Sequence, residues 1–413
     1  MAVDHRLILR PSEPPPANRA LRPSDPFELW QLAALSAADF HGLGSVEGTL
    51  SLAQLQHLAA YGLLAPSSHN TVPQRFLFPS EGNTIEICVD REVVLGASDP
   101  SGRQASVSVG CGITNLLHAA GCYGFDAAVE LFDSAASRVL PHRPQEARYT
   151  RVARVRFQRG TALEPEAVLL AMIERRSVRA DYNAAVALPA ALMAALNDLM
   201  RSQYPELEFH LVHDPRTLGF LADLQELADS TALSREEFTT ELGNWLIEND
   251  SDSPLGMRGR EHGLSDELTQ SVQARLLSEI RLRPEEVSGL ARGANIGIRS
   301  SSAVGIIVAP RDDLQHRVLA GRAFEDLVLT LHQRGFVTAM HAAITELESP
   351  NLALQAQLGT LGRPVVVFRM GQPLEPRDAR RPHSARPSVS DVTLVESQLS
   401  LLPTPGVSSP THL

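Results

Sequence analysis

Gly110-Cys111-Gly112-Ile113-Thr114-Asn115-Leu116-Leu117, running on to Gly124-Phe125, has a counterpart in Gly321-Arg322-Ala323-Phe324-Glu325-Asp326-Leu327-Val328, running on to Gly335-Phe336. Glycine, a small residue, an apolar residue, Asn or Asp, leucine and the closing Gly-Phe recur at one offset, 321 − 110 = 211, close to half of the 413 residues. Self-similarity at such a spacing reads as two diverged copies of one unit. Two unrelated glycine-bounded amphipathic helices would produce the same pattern, so at the level of residues both accounts stand. Around the pair helical periodicity dominates, and the β-branched runs Thr84 to Val89, Val152 to Phe157, Val304 to Val308 and Pro364 to Met370 read as strands. The mixture predicts an α+β fold. The Pro- and Arg-rich segment Leu140 to Arg148 would lie near the join of the two copies.

All 37 basic residues are arginine and lysine is absent. That excludes a P-loop lysine on a triphosphate, a Schiff-base or pyridoxal-phosphate lysine, and a lysine acting as base or nucleophile. Biased codon usage accounts equally well for the absence across the chain as a whole. With 43% hydrophobic residues the chain can bury one large core or two modest ones. A formal charge of −11 speaks against a nucleic-acid partner. Cys88, Cys111 and Cys122 include no close CxxC pair and cannot staple so long a chain, which points to a reducing, cytoplasmic setting. The N-terminal run Pro11-Ser12-Glu13-Pro14-Pro15-Pro16 lacks the apolar core of a signal peptide. The uncharged stretch Gln104 to Phe125 carries four glycines and several polar residues, and so reads as a buried helix and not a membrane span.

Residues 1–27 and 399–413 are proline-bearing tails. Between them two motifs stand out because each occurs once. In the first half, Ser51 with Gln54 forms a capping box, and Leu52, Leu55, Leu58, Ala59 and Leu63 stripe a helix that stops at Pro66. The chain leaves it as Ala65-Pro66-Ser67-Ser68-His69-Asn70-Thr71-Val72-Pro73. In the second half Pro165 opens a helix striped by Val168, Leu169, Met172 and Ile173, which leaves as Arg175-Arg176-Ser177-Val178-Arg179. A shift of 211 finds no mate for either motif, so paired halves would share one composite site. Three permanent cations and a hydroxyl within five residues suit a phosphate gripped bidentately. Cations complementing a helix C-terminus, and a helix stop followed by a Ser or Asx turn, are the plainer accounts of each motif alone.

Ala65-Pro66-Ser67-Ser68-His69-Asn70-Thr71-x-Pro73 resembles the APSxxNxQPW segment of the FMN-dependent nitroreductase family, and Arg175 to Arg179 resembles its RRSxR segment. Ordinary members carry RRSxR first; here the order is reversed and about 110 residues lie between, which is similar to the double-length branch called the Acg family. Asp90-Arg91, Leu95, Asp99-Pro100-Ser101-Gly102-Arg103, Ser108 to Gly112 with Asn115-Leu116, and Phe368 to Pro373 with Arg380-Arg381-Pro382 extend the likeness over roughly residues 50–391. The resemblance implies a nitroreductase-like fold of two fused units, an internal pseudo-dimer, around one FMN. The units would be 28–148 and 149–398. It further implies that Arg175, with Arg176, holds the phosphate or ribityl chain, that Ser177 bonds the ribityl or ring edge, and that Arg179 lies near the pyrimidine edge, where two-electron reduction leaves negative charge. Pro66, Ser67, Ser68 and Asn70 would cover the ring from the other half, and Arg380 or Arg381 would return to the phosphate, although a tail with Arg377, Arg380, Arg381 and Arg386 is equally a solvated one.

The chain departs from the family in two places. Val72-Pro73-Gln74 replaces Gln-Pro-Trp, so the aromatic after the proline is gone. Ser230 to Arg299, with Glu236, Glu237, Glu241 and Trp245, is long for one connection and reads either as a helical lid at about 230–299 or as an extension of the core. The activity implied is transfer from NAD(P)H through FMN to a nitroaromatic or quinone-like acceptor, with no catalytic side chain and no metal. A non-catalytic FMN store or redox sensor beneath a closed lid is the alternative. Neither nucleic acid nor membrane is expected as a partner, and the pseudo-dimer would be a monomer, with further homo-oligomers left open. A dinucleotide or S-adenosylmethionine site at Gly110-Cys111-Gly112 lacks the third glycine, since Asn115 stands there. Ser67-Ser68-His69 lacks a nucleophile elbow, and His210 with His213 lacks an accompanying carboxylate motif for a metal.

Overall fold

The computed structural model describes residues 37–44, 49–80, 82–132, 139–143, 146–160, 167–278, 280–380 and 383–399. The tails at 1–27 and 400–413, the expected opening of a helix at Pro165, and Arg381 lie outside them. The strands are β1 (Gln74–Leu77), β2 (Thr84–Asp90), β3 (Phe125–Leu131), β4 (Tyr149–Arg159), β5 (Glu208–Val212), β6 (Leu246–Ile247), β7 (Met257–Arg258), β8 (Ala303–Ala309), β9 (Val337–Met340), β10 (Arg363–Gly371) and β11 (Thr393–Leu394). With the helices between them they make a mixed α+β molecule, and the four β-branched runs coincide with β2, β4, β8 and β10.

Two sheets share one plan. The first has the order β11-β1-β2-β4-β3 and the second β5-β8-β10-β9. Within each four-strand set all neighbours are antiparallel, whereas β11 joins β1 in parallel. Each set also places one long helix between its second and third strands in chain order, Arg103–Cys122 after β2 and Leu314–His332 after β8. These two helices carry the repeated glycines and pack on each other. A methyl group at Gly110 would meet the Val318 carbonyl oxygen at 2.1 Å, and one at Gly321 would meet the Val107 oxygen at 2.0 Å. The contacts are reciprocal under the 211-residue offset, the relation expected across a two-fold interface. Only residues without a Cβ let two helix backbones come so close.

Packing follows the same exchange. Val318 belongs to the core on the first sheet, together with Leu58, Ile113 and Val152, while Val107 and Cys111 belong to the core on the second sheet, together with Ile307, Leu327 and Phe368. The expected buried helix is thus covered nearly all round because it is sandwiched between a sheet and a second helix. The capping box forms as expected, the Ser51 hydroxyl accepting from Gln54 N and the Gln54 amide from Ser51 N. β4, which follows Leu140 to Arg148, belongs to the first sheet.

The sheets differ in what joins their first two strands. β1 passes to β2 through a short turn, whereas β5 and β8 are separated by the helices Pro215–Leu233, Glu236–Trp245, Asp266–Leu276 and Pro284–Arg299 and the two-stranded pair β6-β7. Among the described residues no helix is long and apolar enough to cross a membrane.

Candidate functional site

At the C-terminus of helix Leu52–Leu63 two guanidinium groups from the other half meet the chain. Arg175 Nη2 donates to the Leu64 carbonyl at 2.7 Å, and its Nε lies 3.4 Å from the buried Glu325 carboxylate. Arg386 Nε donates to Leu63 O at 2.7 Å, and its Nη2 approaches Ala65 O at 3.3 Å. Unpaired carbonyls at a helix end attract cations, so both arginines are held where the chain leaves the helix. The plainer account of the arginines therefore has substance, although the helix end they complement is not the one they follow.

The loop after the helix is strained. His69, Asn70 and Val72 have φ of +49°, +53° and +41°, a region unfavourable for a β-branched residue such as Val72. Its side chains hold it in place: Ser67 Oγ accepts from Val72 N at 3.0 Å and Ser68 Oγ donates to Gln104. Asn70 Oδ1 accepts from Arg386 at 2.7 Å, while its Nδ2 donates to the carbonyls of Pro254, Gly256 and Ala385, each at 3.2 Å. Asn70 thus binds the loop, the helical excursion and the C-terminal segment together. The second motif is tied to β9 by an isolated parallel bridge: Val178 N donates to Thr338 O at 2.9 Å, and Ser177 pairs with Thr338.

The two motifs come together. Pro66, Ser67, Asn70, Arg175, Arg176, Ser177 and Arg179 line one cavity of about 90 Å³, with Glu261 and His262 from the excursion and His383 and Arg386 from the C-terminal segment. Ser68 faces Gln104 and is not on this wall. For Arg380 the backbone alone is described, and Arg381 lies outside the described residues. Arg386, read from the sequence as one cation of a solvated tail, is instead 9% exposed and central. Its only sequence signal was that it follows Arg380-Arg381-Pro382 within the span of the family likeness.

Past His69 and Arg179 the cleft opens into a second cavity of about 380 Å³. Those two side chains belong to both and form the neck. Arg179 is deep in the fold, but its surface faces the cavities and is not covered by packing. Burial lowers the pKa of Arg176, Arg179 and Arg386, the last to about 10; Arg369 lowers Arg179 further and Arg175 lowers Arg386, with only partial relief from Glu261. Desolvated cations that repel one another need an anion to neutralise them. Burial also holds His69 at about 4 and His383 at about 3, so both are neutral near pH 7 and leave the positive charge to the arginines. The Glu261 carboxyl is pushed up by burial, against the pull of Ser384, Arg258 and Arg386.

The excursion is clamped over this cleft. Glu241, on helix Glu236–Trp245, accepts from Ala97 N at 3.0 Å, Ser98 N at 2.8 Å and Ser98 Oγ at 2.5 Å, and Gly256 N donates to Asn70 O at 3.1 Å. A larger groove of about 940 Å³, lined by Glu92, Glu236, Glu237 and Trp245, holds none of the motif residues. Among the described residues no group of three or more His, Cys, Asp or Glu side chains is placed to hold a metal ion.

No protein-family model matches the sequence, and no curated protein does. Solved structures do match. The FMN-dependent nitroreductase NfnB from Mycobacterium smegmatis, in complex with NADPH, is 16% identical over 56% of this chain and 98% of that chain, with a TM-score of 0.36. The FMN- and NADPH-dependent nitroreductase NfnB from Sphigopyxis sp. strain HMH is 16% identical over 55% of this chain and 96% of that one, with a TM-score of 0.37. A nitroreductase with bound FMN from Bacteroides fragilis is 16% identical over 51% and 89%, with a TM-score of 0.31.

Proposed function

We propose that this chain is an FMN-binding oxidoreductase of nitroreductase type, built from two fused units that form an internal pseudo-dimer around one flavin. The observation that carries the reading is the meeting of the two singly occurring motifs, one from each half, on a cavity lined by four guanidiniums, Arg175, Arg176, Arg179 and Arg386, against the two carboxylates of Glu261 and Asp378. The shared strand order and the reciprocal Gly110 and Gly321 contacts support the pseudo-dimer. The proposed units are those read from the sequence, 28–148 and 149–398, except that β4 and the short β11 lie in the first sheet.

The residues suit the cofactor. Arg175, Arg176 and Arg386, with the accessible hydroxyl of Ser177, would hold the phosphate and ribityl end, and Arg380 and Arg381 are proposed to lie near it. Arg179 at the neck would stand by the pyrimidine edge, and Pro66, Ser67 and Asn70 would shape the opposite wall, with Ser68 bracing their loop through Gln104. The cavities of about 90 and 380 Å³ make a cleft in the size range of cofactor sites. Bound there, the flavin would supply two-electron transfer from NAD(P)H to a nitroaromatic or quinone-like acceptor. The chain itself would orient the ring, exclude water beneath the excursion and set a fixed cation beside the charge that reduction creates. Three buried free thiols suit a reducing compartment such as the cytoplasm.

The Glu241 clamp favours a second reading, an FMN store or redox sensor whose lid keeps reductants out. Two measurements decide. A colourless preparation that takes up no added FMN ends the flavin reading. Flavin that is bound but stays oxidised under anaerobic NADPH and NADH ends the oxidoreductase reading and leaves storage.

A further inference from the structure

The two chain neighbours of Arg179 are each held by their carbonyl. The Val178 oxygen accepts from the Tyr182 hydroxyl at 2.7 Å, and the Ala180 oxygen accepts from Arg369 Nη2 at 3.0 Å. Tyr182 and Arg369 are in turn fixed on each other, the guanidinium carbon lying 4.1 Å from the ring centre in a cation–π arrangement. They are 2% and 3% exposed. Arg369 Nη1 also donates to Gly297 O at 3.1 Å, on helix Pro284–Arg299, and Tyr182 N donates to Ser300 Oγ at 3.1 Å just beyond that helix. A methyl group at Gly297 would stand 2.8 Å from Arg369 Cζ, and one at Gly371 would stand 2.7 Å from Tyr182 Cδ2. The stacked pair therefore fills its space and cannot shift without moving backbone.

The pair supplies charge as well as geometry. Burial lowers the pKa of Arg179, Arg369 lowers it further, and Glu261 and Tyr182 offset this only in part. Of two guanidiniums that repel each other, the locked one stays and the other turns away; Arg179 lines both cavities at their neck. Burial pushes the Tyr182 phenol up to about 12, so it keeps the proton it donates to Val178 O. Tyr182 lines neither cavity. Arg369 does line the wider one, but both of its Nη groups are committed to the Gly297 and Ala180 carbonyls.

We infer that Tyr182 and Arg369 are positioning residues for electron transfer: stacked on each other, they hold the chain on both sides of Arg179 and keep its guanidinium turned to the flavin edge. The inference rests on the flavin reading above and extends it to residues outside both sequence motifs. A cation stabilises the charge of the reduced ring best when it is already in place and need not be reoriented as that charge appears. The stacked pair removes that reorientation by anchoring the peptides next to Arg179, and it acts on the flavin through Arg179.

The quantity to measure is the preference of the full chain for reduced over oxidised FMN, read from the change in flavin potential on binding. It is compared in Tyr182→Phe, Arg369→Gln and Arg179→Ala, and in each of the first two combined with the third. Tyr182→Phe keeps the ring and changes no charge, and should lower the preference about threefold; Arg369→Gln should lower it about tenfold, the scale of a lost neutral and a lost charge-assisted hydrogen bond. In the Arg179→Ala background neither change should have an effect. Single variants that match the wild type overturn the inference, and so do effects that persist undiminished without Arg179, because the pair then acts on the flavin by another route. If circular dichroism shows Arg369→Gln unfolded, Tyr182→Phe decides by the same two criteria. Wild-type protein that takes up no FMN refutes the proposed function and this inference with it, whereas bound FMN with additive effects refutes the inference alone.

Discussion

Adding one methyl group at Gly110 or Gly321 should force the two central helices apart. On Gly110 the new carbon would stand 2.1 Å from the Val318 carbonyl oxygen and 2.9 Å from Gly321 Cα; on Gly321 it would stand 2.0 Å from the Val107 oxygen. Ordinary contact begins near 3.4 Å, so the helices must separate by more than 1 Å. The obstacle is backbone, which cannot swing aside as a side chain can. Overpacking a core typically costs about 1–3 kcal/mol, and a rigid obstacle puts each variant at about 3 or above. Alanine returns about 1 kcal/mol of helix propensity, leaving a net loss of about 2 kcal/mol or more for Gly110→Ala and for Gly321→Ala alike. Because both substitutions open the same crossing, the double variant should lose less than their sum, by about 1 kcal/mol. Guanidinium unfolding followed by far-ultraviolet circular dichroism measures all four proteins. Single variants within about 0.5 kcal/mol of wild type, or losses that simply add, would refute a shared close crossing.

Arg179→Ala should weaken FMN binding and lower the two-electron reduction potential by roughly 30 mV, the equivalent of about 1.4 kcal/mol of lost stabilisation of the reduced anion; an unmoved potential in spectroelectrochemical titration means that the cation is not beside the ring. Glu241→Ala removes three hydrogen bonds from the excursion, so limited proteolysis between residues 246 and 256 and anaerobic reduction by NADPH should both quicken severalfold, whereas unchanged cleavage would refute the clamp. His57 is buried against Tyr123, and burial depresses its pKa from 6.5 to about 4. The folded state therefore refuses a proton that the unfolded state binds, and the associated stability is fully present above pH 6.5 and is lost as the pH falls through about 4. His57→Gln should flatten the stability profile across that window by up to one proton, about 1.4 kcal/mol per pH unit. An identical slope in the variant means His57 titrates normally in the folded protein.

Features with a local cause were legible before any coordinates. The Ser51 and Gln54 box marked a helix start, because a capping hydroxyl needs its partner three residues on. β2, β4, β8 and β10 were visible as β-branched runs bounded by turn residues. Arg386 was not legible, since an arginine among prolines looks the same in a solvated tail and in a buried site. What separates the two is the row of helix-end carbonyls at Leu63, Leu64 and Ala65, more than 300 residues away in the chain.

By itself, the order of residues marked four of the strands and the helix that leads into the serine-rich loop, showed one glycine-bounded segment repeating at an offset of 211, and made every arginine-or-lysine cation available to a phosphate a guanidinium. Those properties depend on side-chain volume, periodicity and charge, which a short window contains. Only the tertiary structure decided that Gly110 and Gly321 touch, that the serine-rich loop and the arginine motif face one cavity, and that the excursion lies across it. Each of these is a contact between residues distant in the chain, made when apolar faces of both halves are buried together, and no local pattern encodes such a meeting.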